Sequence, residues 1–171
     1  MSGGIQKNVL SEICLYYGDV KMPKNFNIDR EILKKFILSF GLTKDKFMFN
    51  REWDKLNTYV KDYMNVEHNY IVANKNTWGT TYKPNERSDN LLEADPVDLK
   101  NSPDFTFLYG VDVKDCTITI YYDDNRRKNR NWEIPLKNNG FVMFPSTCMY
   151  YLNNKQKNSL NFIQTITYEF K

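Results

Sequence analysis

The run Gly140-Phe141-Val142-Met143-Phe144-Pro145-Ser146 decides the fold class, together with Met149-Tyr150-Tyr151-Leu152 and Leu160-Asn161-Phe162-Ile163-Gln164-Thr165-Ile166-Thr167-Tyr168 behind it. Each run is short, rich in β-branched and aromatic residues, and bounded by Ser, Asn or Gly, the pattern of strands separated by tight connections. Working back from there, the same two-residue alternation marks strands at Trp132 to Leu136, Cys116 to Tyr122, Phe105 to Val113, Thr77 to Tyr82 and Tyr70 to Ala73. Ahead of His68 the period lengthens. Ile32, Leu33, Phe36, Ile37 and Phe40 form the stripe of an amphipathic helix over Asp29 to Phe40, with Asp29 as its N-cap and Gly41 just past its end. A second helix begins after Asn50 and places Trp53, Leu56, Val60 and either Tyr63 or Met64 on one face. Ile13 to Val20 reads as one further strand. Eight short strands after two helices predict an α+β chain whose second part closes as a sandwich or jelly roll. The 171 residues are expected to form one domain, with a strand and two helices in residues 1–68 packing on a jelly-roll core of residues 69–171.

Composition narrows the chemistry. No apolar run is long enough to cross a bilayer, and the first twenty residues lack the uninterrupted apolar stretch of a signal peptide, so no membrane partner is expected and synthesis in the cytoplasm is. A net charge of +3 is too mild to name a nucleic-acid partner. With His68 as the one histidine, no site that takes two imidazoles from one chain can exist here. Cys14, Cys116 and Cys148 are too far apart in sequence for a CxxC motif, and Cys116 alternates inward with Ile118 and Ile120 as a packing residue. The 21 asparagines beside 18 lysines point to an AT-rich genome and are assigned no chemistry.

Several stretches invite a functional reading. Residues 83–103 are polar, hold three prolines and show no period, and a loop of that length either binds something or is held by a neighbour. Its acids Glu86, Asp89, Glu93, Asp95 and Asp98, with Asp104 beyond it, do not have calcium-loop spacing and read as a solvated surface. The hairpin Asn125-Arg126-Arg127-Lys128-Asn129-Arg130 lies between Tyr121 and Trp132. Asp123 and Asp124 partly neutralise it, which favours a protein contact over nucleic acid and makes Arg126, Arg127, Lys128, Arg130, Tyr121, Trp132 and Tyr151 the interaction candidates. Adjacent tyrosines such as Tyr150 and Tyr151 send one ring into the core and the next outward. Outward rings suit either a protein interface or a stacked sugar. His68, where the second helix hands over to a strand, reads as a capping or surface group.

The closing third resembles the C-terminal half of the double-stranded β-helix of 2-oxoglutarate/Fe(II) oxygenases, and is most similar to the small prolyl-hydroxylase-like proteins of T4-like marine cyanophages. The resemblance rests on the Gly140 to Ser146 run, the two strands after it, Phe105 to Val111, and the Trp78-x-x-x-Tyr82 spacing. It implies iron held by two histidines and an acid, and a basic residue for the 2-oxoglutarate carboxylate. Tyr150 stands where the second histidine is implied, residues 83–103 contain no histidine for the first, and Ser159 to Phe170 contains neither Arg nor Lys, Lys155 and Lys157 being the nearest. The resemblance with these departures implies a degenerate site at Tyr150, no cofactor, metal ligand or catalytic residue, and a structural or interaction protein. It would be made in the host cytoplasm and carried in a tailed-phage particle, its partners other phage structural proteins or a second copy of itself. The alternatives are an iron/2-oxoglutarate hydroxylase with atypical ligands and a jelly roll that binds a carbohydrate or other small ligand.

Overall fold

The computed structural model describes residues 8, 13–24, 26–39, 50–122 and 130–171. Its elements run β1 (Tyr16–Asp19), α1 (Arg30–Ser39), α2 (Arg51–His68), β2 (Val72–Tyr82), β3 (Phe105–Asp112), β4 (Cys116–Tyr122), β5 (Arg130–Leu136), β6 (Gly140–Pro145), β7 (Tyr150–Asn154) and β8 (Asn161–Phe170). They form a five-stranded sheet in the order β1-β6-β3-β8-β2 and a three-stranded sheet in the order β5-β4-β7, with every pairing antiparallel. The two-helix, two-sheet α+β layout is the one the periodicity predicts.

Both helices start where the sequence places their caps. Asp29 Oδ1 accepts from the N–H groups of Glu31 and Ile32, and Asn50 Oδ1 does the same for Glu52 and Trp53. Glu52, buried in the first turn of α2, accepts the N–H of Asp29 at 2.7 Å and the Lys55 amine at 2.9 Å, so one carboxylate joins the two helix starts. The apolar stripes, Leu33 and Ile37 on α1 and Trp53, Leu56, Val60 and Met64 on α2, press on one face of the large sheet, against Phe107, Tyr109, Phe141, Met143, Ile166 and Tyr168. The opposite face sends Leu108, Val142, Phe144 and Ile163 into a second core, shared with Ile118, Ile120, Leu136 and Leu152 of the small sheet. The central strands are therefore buried on both sides, which is why Gly140 to Phe144 is apolar at nearly every position.

Three expectations are corrected. Tyr70 to Ala73 and Thr77 to Tyr82 are not two strands. Their cores belong to the single strand β2, bulged between Asn74 and Asn76, and the polar Asn74-Lys75-Asn76 that interrupts the pattern is the bulge itself. β1 does not pack on the barrel from outside, because it pairs with β6 as an edge strand of the large sheet. Residues 83–103 are held by the chain's own β7. Ser88 N–H reaches Leu152 O at 2.9 Å, Leu91 and Tyr150 exchange backbone bonds of 2.7 and 2.9 Å, and Asn154 N–H reaches Glu86 O at 2.8 Å. The segment is an irregular extra strand along the small sheet, joined by bridges at Arg87 and Leu91 with no regular ladder between them, so it carries no period.

The asparagines also do more than reflect a genome. Asn154, fully buried, directs its amide at the carbonyls of Tyr82, Lys83 and Ser159 at 2.9 to 3.1 Å and accepts the Gln156 N–H. It ties the ends of β2 and β7 and the approach to β8 in one place. Replacing Asn154 by Ala strands several buried backbone groups and is expected to cost about 2–4 kcal/mol, read as a lowered midpoint in urea denaturation with an unchanged slope.

Candidate functional site

The position of interest is on β7, where strand alternation sends Tyr150 between the sheets and Tyr151 out. Tyr150 is 2% exposed, its ring 4.9 Å from that of Phe144. Its hydroxyl donates to Glu93 Oε1 at 2.7 Å. Leu91, two residues before Glu93, is the residue bridged to Tyr150, so the backbone pairing delivers the carboxylate to the phenol. Burial first, then the neighbouring Glu93 charge and its hydrogen bond, push the Tyr150 phenol well above its ordinary range. It is a neutral donor at every physiological pH.

Around this pair the space between the sheets is filled with side chains. Tyr82, Leu108, Phe144, Ile120, Leu152 and Ile163 are all buried in the same core. Cys116 lies there too, its thiol pushed up to about 12 mainly by burial, and it is a packing residue as its alternation predicts. Among the described residues, no three His, Cys, Asp or Glu side chains converge as a metal site would require.

Asp89, Asp95, Asp98 and Asp104 are exposed, as a solvated surface requires, while Glu86 and Glu93 are half-buried, and most of these acids also hold the chain locally. Glu93 holds Tyr150, Glu86 accepts the Lys83 N–H, Asp95 accepts the Val97 N–H, Asp98 holds the Asn101 amide and Asp104 accepts the Phe170 N–H. Sequence reasoning missed the Glu93 pairing. Its signal was the short apolar island Leu91-Leu92 beside it, which marks a segment that touches the core.

The interaction candidates do not form one patch. Tyr151 and Tyr121 share the outer face of the small sheet with ring centres 5.9 Å apart, and the Arg87 guanidinium lies 3.8 Å from the Tyr151 ring centre, a contact not foreseen from the sequence. Trp132 pairs with Ile120 and Arg130 with Tyr122, and each of those registers is one residue away from the outward Tyr121. Trp132 therefore belongs to the inner side of an edge strand, where it is 42% exposed. Arg126, Arg127 and Lys128 lie outside the described residues.

His68 is neither a cap nor a surface group, contrary to expectation. Asn69, at φ 56°, ends α2, and the imidazole packs 4.5 Å from Tyr16 and 5.4 Å from Tyr63, with Nε2 buried and unpartnered. This cluster belongs to the helix side of the large sheet, remote from Tyr150, which fills the other core. Lys155 is engaged with Glu133 at 2.8 Å, and Lys157 is exposed.

With this geometry in hand, comparison with known proteins is informative on one level. No family model matches the chain, and no curated protein does. Solved structures match over most of its length. The viral collagen prolyl hydroxylase of Paramecium Bursaria Chlorella virus-1, seen with 2-oxoglutarate, has a TM-score of 0.66 at 14% identity over 90% of this chain and 94% of that one. A Pseudomonas putida prolyl-4-hydroxylase gives 0.62 at 6% identity, over 91% of this chain and 84% of that one. The Trichoplax adhaerens prolyl hydroxylase in complex with a hypoxia-inducible-factor peptide gives 0.61 at 11%, over 91% and 83%. The fold is that of the 2-oxoglutarate/Fe(II) oxygenases.

The enzymes of that fold imply iron and 2-oxoglutarate, and the described residues around Tyr150 do not fit them. The donors at Tyr150 are a protonated phenol and the carboxylate it already bonds, while the one imidazole is on the far side of the large sheet. On β8, the residues alternating with Ile163 toward the small sheet are Asn161, Thr165 and Thr167, none of them a cation for an oxo-acid.

Three outcomes follow from the buried phenols. Tyr150→Phe removes the buried hydrogen bond to Glu93 and should cost about 1–3 kcal/mol, with faster hydrogen exchange over residues 86–94. Tyr168→Phe, which removes a buried hydroxyl that has no partner, should be neutral or stabilising. Tyr82, Tyr109, Tyr150 and Tyr168 are all raised by burial, so the folded chain keeps protons that the unfolded chain releases above about pH 10. The stability they confer is complete below that pH and lost above it. Thermal midpoints measured across alkaline pH should fall once pH passes about 10, and less steeply in Tyr150→Phe.

Proposed function

We propose that this chain is a non-catalytic interaction protein that keeps the oxygenase-type jelly roll as a scaffold and serves as a structural part of a tailed-phage particle. The observation that carries the first part is the Tyr150–Glu93 pair. Where an oxygenase of this fold is implied to hold iron, a neutral phenol and its carboxylate close on each other inside a packed core. The groups on offer to other molecules are Tyr151 and Tyr121 with Arg87 across the outer face of the small sheet, and, at its β5 edge, the exposed Arg130 and Trp132 of the inner side. The phage setting is supported by the likeness of the Gly140 to Ser146 run and its neighbours to phage-borne members of the fold, and partners there would be other particle proteins.

Two other readings each have an observation in their favour. The solved neighbours are enzymes, which favours a hydroxylase with atypical ligands. The paired outward rings of Tyr151 and Tyr121 favour a carbohydrate-binding module. One set of measurements separates them. The purified chain supplied anaerobically with Fe(II) and 2-oxoglutarate, then with oxygen, is expected to form no succinate above a protein-free control. Stoichiometric iron with succinate formation overturns the proposal. Mass spectrometry of purified particles of the encoding phage is expected to find the chain, and its absence removes the virion role. Glycan-array binding lost in Tyr151→Ala would transfer the outer face to the carbohydrate reading.

A further inference from the structure

Of the 21 asparagines, Asn139 alone is followed by glycine. Glycine has no side chain to shield its backbone nitrogen, so in an Asn-Gly pair that nitrogen reaches the preceding side-chain amide carbon most readily. The turn between β5 and β6 dictates both residues. Asn139 stands at φ 59°, a left-handed conformation in which asparagine is among the few residues tolerated. A Cβ at position 140 would lie 2.9 Å from Lys137 O, so only glycine fits there without a shift. The fold thereby fixes the chain's most labile amide sequence at one point.

That point is where β1 is fastened. Asn139 Nδ2 donates to Val20 O at 3.0 Å, Val20 N–H donates back to Asn139 O at 2.9 Å, and Asn139 Oδ1 accepts the Tyr109 hydroxyl at 2.8 Å. Gly140 N–H is held on Lys137 O and Asn139 N–H on Gly110 O, both at 2.9 Å. For the Gly140 nitrogen to close on Asn139 Cγ, the side chain must leave Val20 and Tyr109, and the nitrogen must leave Lys137. The native bonds oppose each of these movements.

We propose that Asn139 is a deamidation site that the folded turn protects and whose conversion unfastens β1. In the reaction the Gly140 nitrogen gives its proton to solvent hydroxide and bonds to Asn139 Cγ, the Cγ–Nδ2 bond breaks, and ammonia leaves. Water then opens the cyclic imide to aspartate or isoaspartate, so one water is consumed, one ammonia is released, and nothing is oxidised or reduced. An aspartate at this position still accepts from Tyr109, but it has no hydrogen for Val20 O and sets a carboxylate against that carbonyl. β1 is poorly placed to absorb the loss. It is four residues long and paired on one side only, with Tyr16 against His68 and Tyr63 as its inward anchor. Such a strand opens at the low end of the stability range, and its departure leaves β6 as the edge of the large sheet. The inference is independent of the non-catalytic reading, since it rests on this turn alone.

The full chain is incubated at mildly alkaline pH, once folded and once in guanidinium chloride, and conversion at position 139 is followed by peptide mass spectrometry. Conversion is expected in denaturant, and at a rate at least about tenfold lower in the folded chain. The converted form, separated from the incubated folded protein by its added negative charge, is expected to exchange the backbone amides of residues 16–20 faster than the unconverted chain, with those of α2 and β8 unchanged. Asn139→Asp should reproduce that pattern without incubation. Equal rates in the folded and denatured chain overturn the protection, and an Asn139 that survives in denaturant overturns the site itself. A converted chain, or a folded Asn139→Asp variant, whose residues 16–20 exchange as before overturns the unfastening of β1.

Discussion

Burial of one sheet on both its faces is the constraint from which the rest of this molecule follows. β3, β6 and β8 have helices on one side and the small sheet on the other, so alternate residues belong to different cores. A shift of one residue in any of these strands would exchange the two sets. Phe107, Tyr109 and Phe141 fit under α1 and α2, whereas Leu108, Val142 and Phe144 fit against β4 and β7, and neither set has the shape of the other. The register is thereby fixed by the shapes of the two apolar faces. The three cysteines are free, and the two that are buried act as small apolar groups.

The same constraint explains what can stand at position 150. A side chain there points between two packed sheets, and whatever polar atom it carries must find a partner within reach. An imidazole would need a metal or an acceptor at its ring nitrogen. A phenol extends further and needs only one acceptor, which Glu93 supplies. The pair links β7 to the irregular segment beside it in the way a shared metal would link them, at the strength of one charge-assisted hydrogen bond, about 1.5–3 kcal/mol. Scaffold and chemistry are separable in this fold because the sheets are held by their apolar faces and the site occupies one end of the space between them.

The helices and the regular strands were legible in the sequence because each is governed by a local rule. Asp29 and Asn50 cap as their positions predict, and β4 runs from Cys116 to Tyr122 as its alternation predicts. What escaped was non-local. Residues 83–103 show no period because their order comes from scattered bonds to Leu152, Tyr150 and Ser146, none of which is near in sequence. β1 gave no sign of its partner, since four half-polar residues fit an edge strand as well as a separate flap. Tyr150 as an inward-pointing residue of β7 could be read from strand alternation, whereas its partner could not, because an acid in a polar stretch reads as solvated until the fold brings a buried donor to it.

Asparagine shows the same divide from another side. Its abundance is a compositional fact with no structural content, yet three of these residues hold the connections together. Asn139 sits at φ 59°, accepts the Tyr109 hydroxyl and donates to Val20 O, fixing β1 to the turn before β6. Asn161 bonds both backbone groups of Lys114 at the far end of β3, and Asn154 gathers three carbonyls at the base of β2. A carboxylate could not donate to those carbonyls, and a lysine could not accept the N–H groups. A side-chain amide has both functions, with two N–H donors beside its oxygen, and no charge to desolvate. At these three connections the fold therefore satisfies backbone groups with neutral side chains.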